Sequence, residues 1–241
     1  MHAASAVVVL KPEESRRLIG RAVAQLLSVQ HAKARGRLVV VGGGTTRFVA
    51  ESLTGEDPGL ESYAVGWVKD GELGETPKEE RGPGPHVWEN GELSRVMPFD
   101  VIKRFTAGDV YIKGANAIDA EGHVGILMAS PVGGTIGLAY PIIMARGCEL
   151  IMAVSLAKQV PSVLKACELL GQQKGARTMG TPVGMMPIPR GTATVVTEIE
   201  AFEILYGLEA TLVAAGGVGD CEGALIFHLK GEQGQVDRFF S

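Results

Sequence analysis

The sequence predicts an α/β protein in three layers, with helices on both sides of a doubly wound, mostly parallel sheet. Short runs of β-branched and apolar residues alternate with helical segments over most of the 241 residues. Many of the 33 glycines follow these runs directly, which indicates backbone turns at the ends of strands. The length suits one domain, and we expect residues 1–241 to form a single unit.

The first elements follow from local patterns. Residues 11–33 form a predicted helix, because Pro12 suits a first helical turn and residues 18–27 contain one apolar face. The β-branched run 37–41 predicts a strand that is buried on both faces. Residues 42–46 lead it into a second helix over 47–53, and 62–68 are predicted as the next strand.

Two segments rich in glycine and proline, 69–95 and 171–191, interrupt this alternation and are predicted to be surface excursions. The first is expected to be a flap or a small hairpin, with Trp88 isolated within it. The remaining predicted strands cover 109–113, 124–128, 149–155, 193–196, 210–215 and 224–230. The remaining predicted helices cover 98–105, 134–146, 161–170 and 198–206.

The composition argues against several classes of function. With 23 Lys+Arg against 27 Asp+Glu, the chain lacks the basic field expected of a nucleic-acid binder. The uncharged stretch 124–145 is long enough to span a bilayer, but two prolines and four glycines break it, so no membrane partner is expected. Three scattered cysteines form no disulfide framework, which favours a reducing, cytoplasmic location. The histidines lack zinc-ligand spacing, and neither a metal nor a cofactor is expected.

The clearest candidate site is the segment Gly42-Gly43-Gly44-Thr45-Thr46, called the Gly-Thr turn below. Glycines allow close approach of the backbone, N–H groups at a helix start favour anions, and threonine hydroxyls add donors. Gly43, Gly44, Thr45 and Thr46 are therefore candidate phosphate ligands. The plainer alternative is that the glycines only close a β–α turn, since the segment is neither a Walker A sequence nor GxGxxG.

Three later landmarks follow the Gly-Thr turn in a characteristic order. The strand 109–113 runs into Gly114-Ala115-Asn116-Ala117-Ile118-Asp119, Gly133-Gly134-Thr135 opens a helix, and the strand 150–154 is followed by Lys158. This order resembles the superfamily of ribose-5-phosphate isomerase, glucosamine-6-phosphate deaminase, the effector domains of DeoR-type sugar repressors and the coenzyme A transferases. The resemblance covers roughly residues 10–215.

The resemblance implies a Rossmann-like fold of the sugar-phosphate isomerase type and a ligand crevice at the carboxyl ends of the strands. It adds Asn116, Asp119, Gly134, Thr135 and Lys158 to the candidate ligand-binding residues. Two of these residues have a plainer alternative: an Asp such as Asp119 more often closes its own turn, and a Lys such as Lys158 is as often a solvated residue at a strand end.

Several positions at which this sequence differs from the family's pattern distinguish catalysis of proton transfer from ligand binding alone. Where the isomerases carry acidic residues for proton transfer, this sequence has Lys113, Asn116 and Pro141. Asn116 instead resembles the repressor-type turn, which binds a ligand without transforming it. No helix-turn-helix precedes the fold in this sequence, because about ten residues stand before the first predicted helix.

Two hypotheses follow from these patterns. The first is binding or sensing of a phosphorylated sugar or a similar small anionic metabolite, with a homo-oligomer as a possible state of assembly. The second is an enzyme of the same fold, an isomerase, hydrolase or acyl transferase, that uses other catalytic residues. A coenzyme A transferase is the weaker form of the second hypothesis, although Glu198 and Glu203 lie in a late helix.

Overall fold

The fold is described from a computed structural model, which covers residues 3–175 and 177–241. Within these ranges the strands are β1 (Ala3–Leu10), β2 (Arg37–Val40), β3 (Gly66–Lys69), β4 (Glu72–Glu75), β5 (His86–Glu89), β6 (Glu92–Arg95), β7 (Val110–Gly114), β8 (Ala117–Ile118), β9 (Val124–Met128), β10 (Glu149–Ala153), β11 (Gly184–Ile188), β12 (Thr194–Val196), β13 (Glu209–Ala215) and β14 (Leu225–Glu232). The helices are α1 (Pro12–Gln25), α2 (Leu27–Arg35), α3 (Thr46–Thr54), α4 (Leu60–Tyr63), α5 (Phe99–Ile102), α6 (Gly134–Arg146), α7 (Val163–Leu169), α8 (Glu198–Tyr206) and α9 (Gln233–Phe240).

A six-stranded, mostly parallel sheet forms the centre of the molecule, with the order β12-β10-β7-β2-β5-β6. The four strands from β12 to β2 run parallel, and β5 and β6 are antiparallel to their neighbours. Across the parallel part of the sheet, four residues on neighbouring strands are register partners: Thr194, Ile151, Ile112 and Val40. The predicted α/β class with a mostly parallel sheet is therefore confirmed.

Alternation along the strands divides the apolar side chains of the sheet between two cores. On β7, Val110 and Ile112 belong to the first core, whereas Tyr111 belongs to the second. The first core also contains buried residues of α1, α3 and α8, and the second contains those of α5 and α6. The two sides of the central strands are thus covered by different helices.

Three smaller sheets surround the central one. An antiparallel sheet of order β1-β14-β13 closes the first core, where Val8 and Phe227 face each other in register. The second has the order β11-β9-β8, and the third is the hairpin of β3 and β4.

The structure differs from the predicted excursion at 69–95, since only its first part is a peripheral hairpin. Strand β5 pairs with β2 inside the central sheet, and Trp88 is 2 % exposed. The segment 171–191 likewise contributes β11, which pairs with β9. Short strands that lie within stretches rich in glycine and proline give a weak local signal, because their pairing partners are distant in sequence.

Other boundaries also differ from the sequence-based expectation. The predicted helix 11–33 is two helices, α1 and α2, because Leu26 adopts an extended backbone conformation with ψ 134°. The predicted strand 62–68 is α4 followed by β3, and strand β1 was not predicted. Helix α8 has the predicted bounds, since Thr197 and Glu200 form a capping box at its start.

Candidate functional site

The parallel strands place several loops at one edge of the central sheet. Strands β2, β7, β10 and β12 all end there, with Ala153 in register with Gly114 on one side and Val196 on the other. The Gly-Thr turn follows β2, Asn116 follows β7, and Lys158 follows β10. A Cβ placed on Gly114 would lie 4.0 Å from Thr46 Cγ2, which brings the first two of these loops together. Ligand sites of open α/β sheets gather at this edge.

Hydrogen bonds hold the ends of the Gly-Thr turn, whereas several of its backbone N–H groups have no acceptor. The Thr46 hydroxyl donates to the Val41 carbonyl oxygen at 2.6 Å, and the Arg47 N–H donates to the Gly43 oxygen at 2.9 Å. Within the described ranges, no protein acceptor receives the N–H groups of Gly44, Thr45 or Thr46. Three unpaired N–H groups at the start of the nine-residue helix α3 form a site suited to an anion.

The glycines of the turn have two different structural roles. A Cβ on Gly42 would lie 1.9 Å from the Tyr63 carbonyl oxygen, so Gly42 is required for packing. A Cβ on Gly44 would meet only Arg16 Nη1 at 3.7 Å and Leu60 Cδ1 at 3.9 Å, which are ordinary contact distances. Gly44 therefore leaves space beside Arg16.

Thr45 stands at the N-cap position of α3, yet its side chain makes no capping hydrogen bond. The residue is 1 % exposed, and its hydroxyl oxygen has no partner within the part of the chain that the structure describes. Threonine at this position ordinarily satisfies one of the first N–H groups of the helix. Here the buried hydroxyl stays unsatisfied, which is uncommon for a buried polar group.

Arg16 of α1 lies beside this turn, with its Nη1 3.7 Å from a Cβ placed on Gly44, and the sequence patterns did not identify it. It is half-buried, its Nε has no partner, and no described carboxylate pairs with its guanidinium. Burial lowers the pKa of Arg16, Glu13 opposes that change, and the nearby Arg47 adds to it.

The neighbouring arginines differ from Arg16, because each has a carboxylate partner. Arg17 binds Glu51 at 2.5 Å, and Arg47 binds Asp57 through two nitrogens. No sequence signal separates Arg16 from Arg17, since only the tertiary packing of α1 over α3 directs one toward the turn and the other toward Glu51.

Lys158 and Asn116 lie at the same edge and are bound to neighbouring backbone. The Lys158 ammonium donates to the Ala115 carbonyl oxygen at 2.5 Å, and the Asn116 Oδ1 accepts from the Leu127 N–H at 3.0 Å. Burial lowers the pKa of Lys158, and the positive charge of Arg16 lowers it further. The charges of Arg16 and Lys158 are therefore close enough to interact.

Asp119 has a structural set of contacts. Its carboxylate accepts from the backbone N–H groups of Glu121, His123 and Val163, the last at 2.9 Å. These bonds close the turn after β8 and attach the start of α7. Asp119 also lines a cavity of about 380 Å³ together with Arg190, whose side chain packs on Gly122.

Gly134 and Thr135 begin α6 and lie against the second core. Gly133 and Gly134 have φ of 76° and 62°, values that favour glycine. Burial raises the pKa of the Tyr111 phenol, and the neighbouring Thr135 side chain opposes that rise. Because Tyr111 and the first core lie on opposite sides of β7, Thr135 lies on the other side of this strand from α1.

A buried polar cluster joins α1 to the strand ends. Glu198 is fully buried at the start of α8 and accepts hydrogen bonds from the Ser15 hydroxyl and, at 2.9 Å, from the Leu156 N–H. The Ser15 and Ser155 hydroxyl oxygens are 3.3 Å apart. Since Ser15 precedes Arg16, this cluster fixes the part of α1 that carries the unpaired guanidinium.

Lys113 lies one residue before the end of β7 and is partly buried. No described residue accepts a hydrogen bond from its ammonium, and burial lowers its pKa to about 8. Its register partner is Met152 of β10. Alternation along β7 places Lys113 with Tyr111 on the side of the second core, opposite the side of α1 that carries Arg16.

Neither metal nor membrane features accompany this site in the described residues. They contain no group of three His, Cys, Asp or Glu side chains able to hold a metal ion. No helix among them is long and apolar enough to cross a bilayer. A scan against protein-family models found no match for the chain, and a search of curated proteins found no similar sequence.

Proposed function

We propose that the protein binds a small phosphorylated sugar or a similar anionic metabolite at the Gly-Thr turn. The observation that carries this proposal is Arg16, a half-buried cation without a carboxylate partner beside three unpaired N–H groups. The doubly wound, Rossmann-like type of fold and the kinship with sugar-phosphate proteins belong to the same proposal.

Energetics favour an anion over water at this position. An arginine that is removed from solvent without a carboxylate costs free energy, and a phosphate recovers that cost through charge-assisted, bidentate hydrogen bonds. The N–H groups at the start of α3 add the positive end of the helix dipole. Phosphate, with several acceptor oxygens, satisfies both sets of donors at once.

The neighbouring loops supply contacts for the rest of a ligand. Lys158 adds positive charge close to Arg16, and the exposed Asn116 presents an amide at the end of β7. A sugar phosphate combines one anionic group with several hydroxyls, which suits this mixture of cations and amide groups.

The proposal is tested by a thermal-shift screen of inorganic phosphate, sugar phosphates, nucleotides and coenzyme A esters, followed by calorimetry. Gly44→Val should abolish phosphate binding and leave the protein folded, because the added side chain occupies the space beside Arg16. Gly108→Val is the matched control, since a Cβ there meets no atom within 4 Å. Unchanged phosphate affinity in Gly44→Val would contradict the proposal.

Enzymatic activity at the same edge of the sheet is the alternative to binding alone. Isomerisation of ribose 5-phosphate is nevertheless not expected, because proton transfer between carbons needs a base in reach of the carbon acid. Asp100 is exposed and pairs with Lys103 at 3.0 Å, and Glu198 already accepts two hydrogen bonds. A coupled assay should give background rates; turnover that Glu198→Gln abolishes would show that a base had been overlooked.

A further inference from the structure

We propose that a cavity beside the hairpin of β5 and β6 is a second binding site, which takes a small carboxylic acid with a hydroxyl or amino group on the carbon next to the carboxyl group. The cavity has a volume of about 360 Å³ and is lined by His86, Trp88, Leu93, Arg95 and residues of the segment 53–58. Cavities of this size hold small molecules. This inference concerns a site other than the Gly-Thr turn.

The cavity and the Gly-Thr turn lie at opposite ends of α3. Leu53 and Thr54, the last two residues of this helix, line the cavity, whereas the turn leads into its first residue, Thr46. A helix of nine residues is about 13 Å long. Among the described residues, none of 42–46 lines the cavity. A ligand in the cavity therefore makes contacts of its own, and the inference does not depend on the proposed function.

Pairing of β5 with β6 places the side chains of the cavity on one face of the hairpin. His86 is the register partner of Arg95, and Trp88 is the register partner of Leu93. Directly opposite residues of an antiparallel pair have Cβ atoms about 5 Å apart, and residues two positions apart on a strand share a face. The His86 and Trp88 rings are stacked, with centroids 5.7 Å apart. The guanidinium of Arg95 and the imidazole of His86 therefore lie side by side.

Arg95 supplies positive charge to the cavity. Its Nε donates to the Gly84 carbonyl oxygen at 2.8 Å, and its guanidinium carbon lies 5.5 Å from the centre of the Tyr63 ring. These contacts hold the side chain and leave both terminal nitrogens without an acceptor in the described part of the chain. Asp57, a carboxylate of the lining, is bound to Arg47 instead. A guanidinium that is free in this way matches the two oxygens of a carboxylate.

His86 supplies a hydrogen-bond acceptor next to this charge. The Tyr63 hydroxyl donates its one hydrogen to the Val40 carbonyl oxygen at 3.0 Å, so its oxygen accepts from His86 Nδ1, also at 3.0 Å. Burial and the positive charge of Arg95 lower the pKa of His86 to about 4, so the ring is neutral at pH 7. With its hydrogen on Nδ1, the ring presents a lone pair at Nε2, to which no described residue donates. The cavity therefore suits a ligand that donates a hydrogen bond as well as carrying negative charge.

These groups together define the chemistry of the ligand. The carboxylate binds Arg95, and an O–H or N–H group on the adjacent carbon donates to His86 Nε2. Leu53 and Leu93 give the lining apolar surface for a short aliphatic side chain. Both 2-hydroxy acids and 2-amino acids carry this arrangement. Glu56, an exposed carboxylate of the lining, attracts the ammonium group of a 2-amino acid, so the two kinds of acid should differ in affinity.

The test is isothermal titration calorimetry of the full chain with 2-hydroxy-4-methylpentanoate, free leucine and 4-methylpentanoate, which share one carbon skeleton. We expect the hydroxy or the amino acid to bind with a dissociation constant on the order of 1 mM or lower. The third acid has no donor for Nε2 and should bind at least about tenfold more weakly. Arg95→Met should weaken binding of the tighter acid by at least about tenfold. Ser94→Ala is the matched control, since Ser94 lies on the opposite face of β6, and it should leave the affinity unchanged.

Two further variants make each outcome decisive. Leu93→Trp, a change at a half-exposed residue, fills the cavity and should give the same loss of binding even if Arg95→Met fails to fold. Binding that Gly44→Val abolishes and Arg95→Met retains would place the acid at the Gly-Thr turn, which overturns this inference and supports the proposed function. Equal affinity for all three acids, or binding of none of them, would also overturn it and leave the proposed function intact.

Discussion

Replacing Arg16 by methionine should weaken phosphate binding without lowering the stability of the ligand-free protein, so the variant distinguishes a binding role from a structural one. Arg16 has no carboxylate to lose, and its Nε is buried without a partner. Methionine keeps much of the apolar stem and removes a charge whose burial is unfavourable. We therefore expect ligand-free Arg16→Met to unfold at the same or a higher temperature than the unchanged protein.

The loss of affinity follows from the contacts that Arg16 would make to phosphate. Hydrogen bonds to charged groups contribute about 1.5–3 kcal/mol. Because 1.4 kcal/mol is a factor of ten, the dissociation constant for inorganic phosphate should rise by about 10- to 150-fold. Isothermal titration calorimetry at fixed ionic strength measures this change, and thermal unfolding without ligand measures the stability.

Arg17→Met is the matched control, since Arg17 is the next residue of α1 and pairs with Glu51 and Glu13. Loss of these partly exposed pairs should cost about 0–1 kcal/mol of stability and leave phosphate affinity unchanged. If both variants bind phosphate equally, or if Arg16→Met loses more than about 2 kcal/mol of stability, Arg16 is a structural residue.

Three further outcomes follow from particular contacts. Gly42→Ala should lower stability by about 1–3 kcal/mol, because its Cβ would lie 1.9 Å from the Tyr63 oxygen; a neutral effect in thermal unfolding would contradict this packing. Burial, aided by Arg95, lowers the pKa of His86 to about 4, so the folded state binds a proton less readily than the unfolded chain. The stabilisation by neutral His86 should be fully present above pH 6.5 and should fall by up to about 3 kcal/mol as the pH drops from 6.5 through 4. Urea titrations over this pH range measure the free energy of unfolding, and its dependence on pH should be weaker in His86→Gln. Asp119→Asn should cost about 1–3 kcal/mol, since the carboxylate accepts three backbone N–H groups; an unchanged urea midpoint would show that these bonds contribute little.

Much of the central sheet could be predicted from sequence, because its parallel strands carry their own signal. The run 37–41 is apolar and β-branched, as buried strands require, and the helix at 198–206 begins with a capping box. Strand β5 gave no such signal. Its four residues follow a stretch rich in glycine and proline, and only pairing with β2 makes them a central strand that buries Trp88.

The candidate site was predictable only where it is local in sequence. The Gly-Thr turn is one contiguous segment, so its residues could be named, and parallel strands place Asn116 and Lys158 at the same edge. Arg16 could not be named, because its relation to Gly44 arises from helix packing across about thirty positions. Asp119 illustrates the reverse: the plainer alternative of a turn-closing aspartate describes two of the backbone hydrogen bonds of its carboxylate, and the third attaches the start of α7.

The pairing of β1 with β14 has a consequence for the order of folding. Val8 and Phe227 face each other although more than two hundred positions separate them along the chain. Closing a loop of that length costs conformational entropy before any contact is gained, and contacts of such separation form slowly. We therefore expect the helices α1, α3 and α8 to associate with the central sheet first, while one side of the first core still faces water. Until β1 and β14 pair, this side exposes apolar surface on which a folding chain is open to association with other chains.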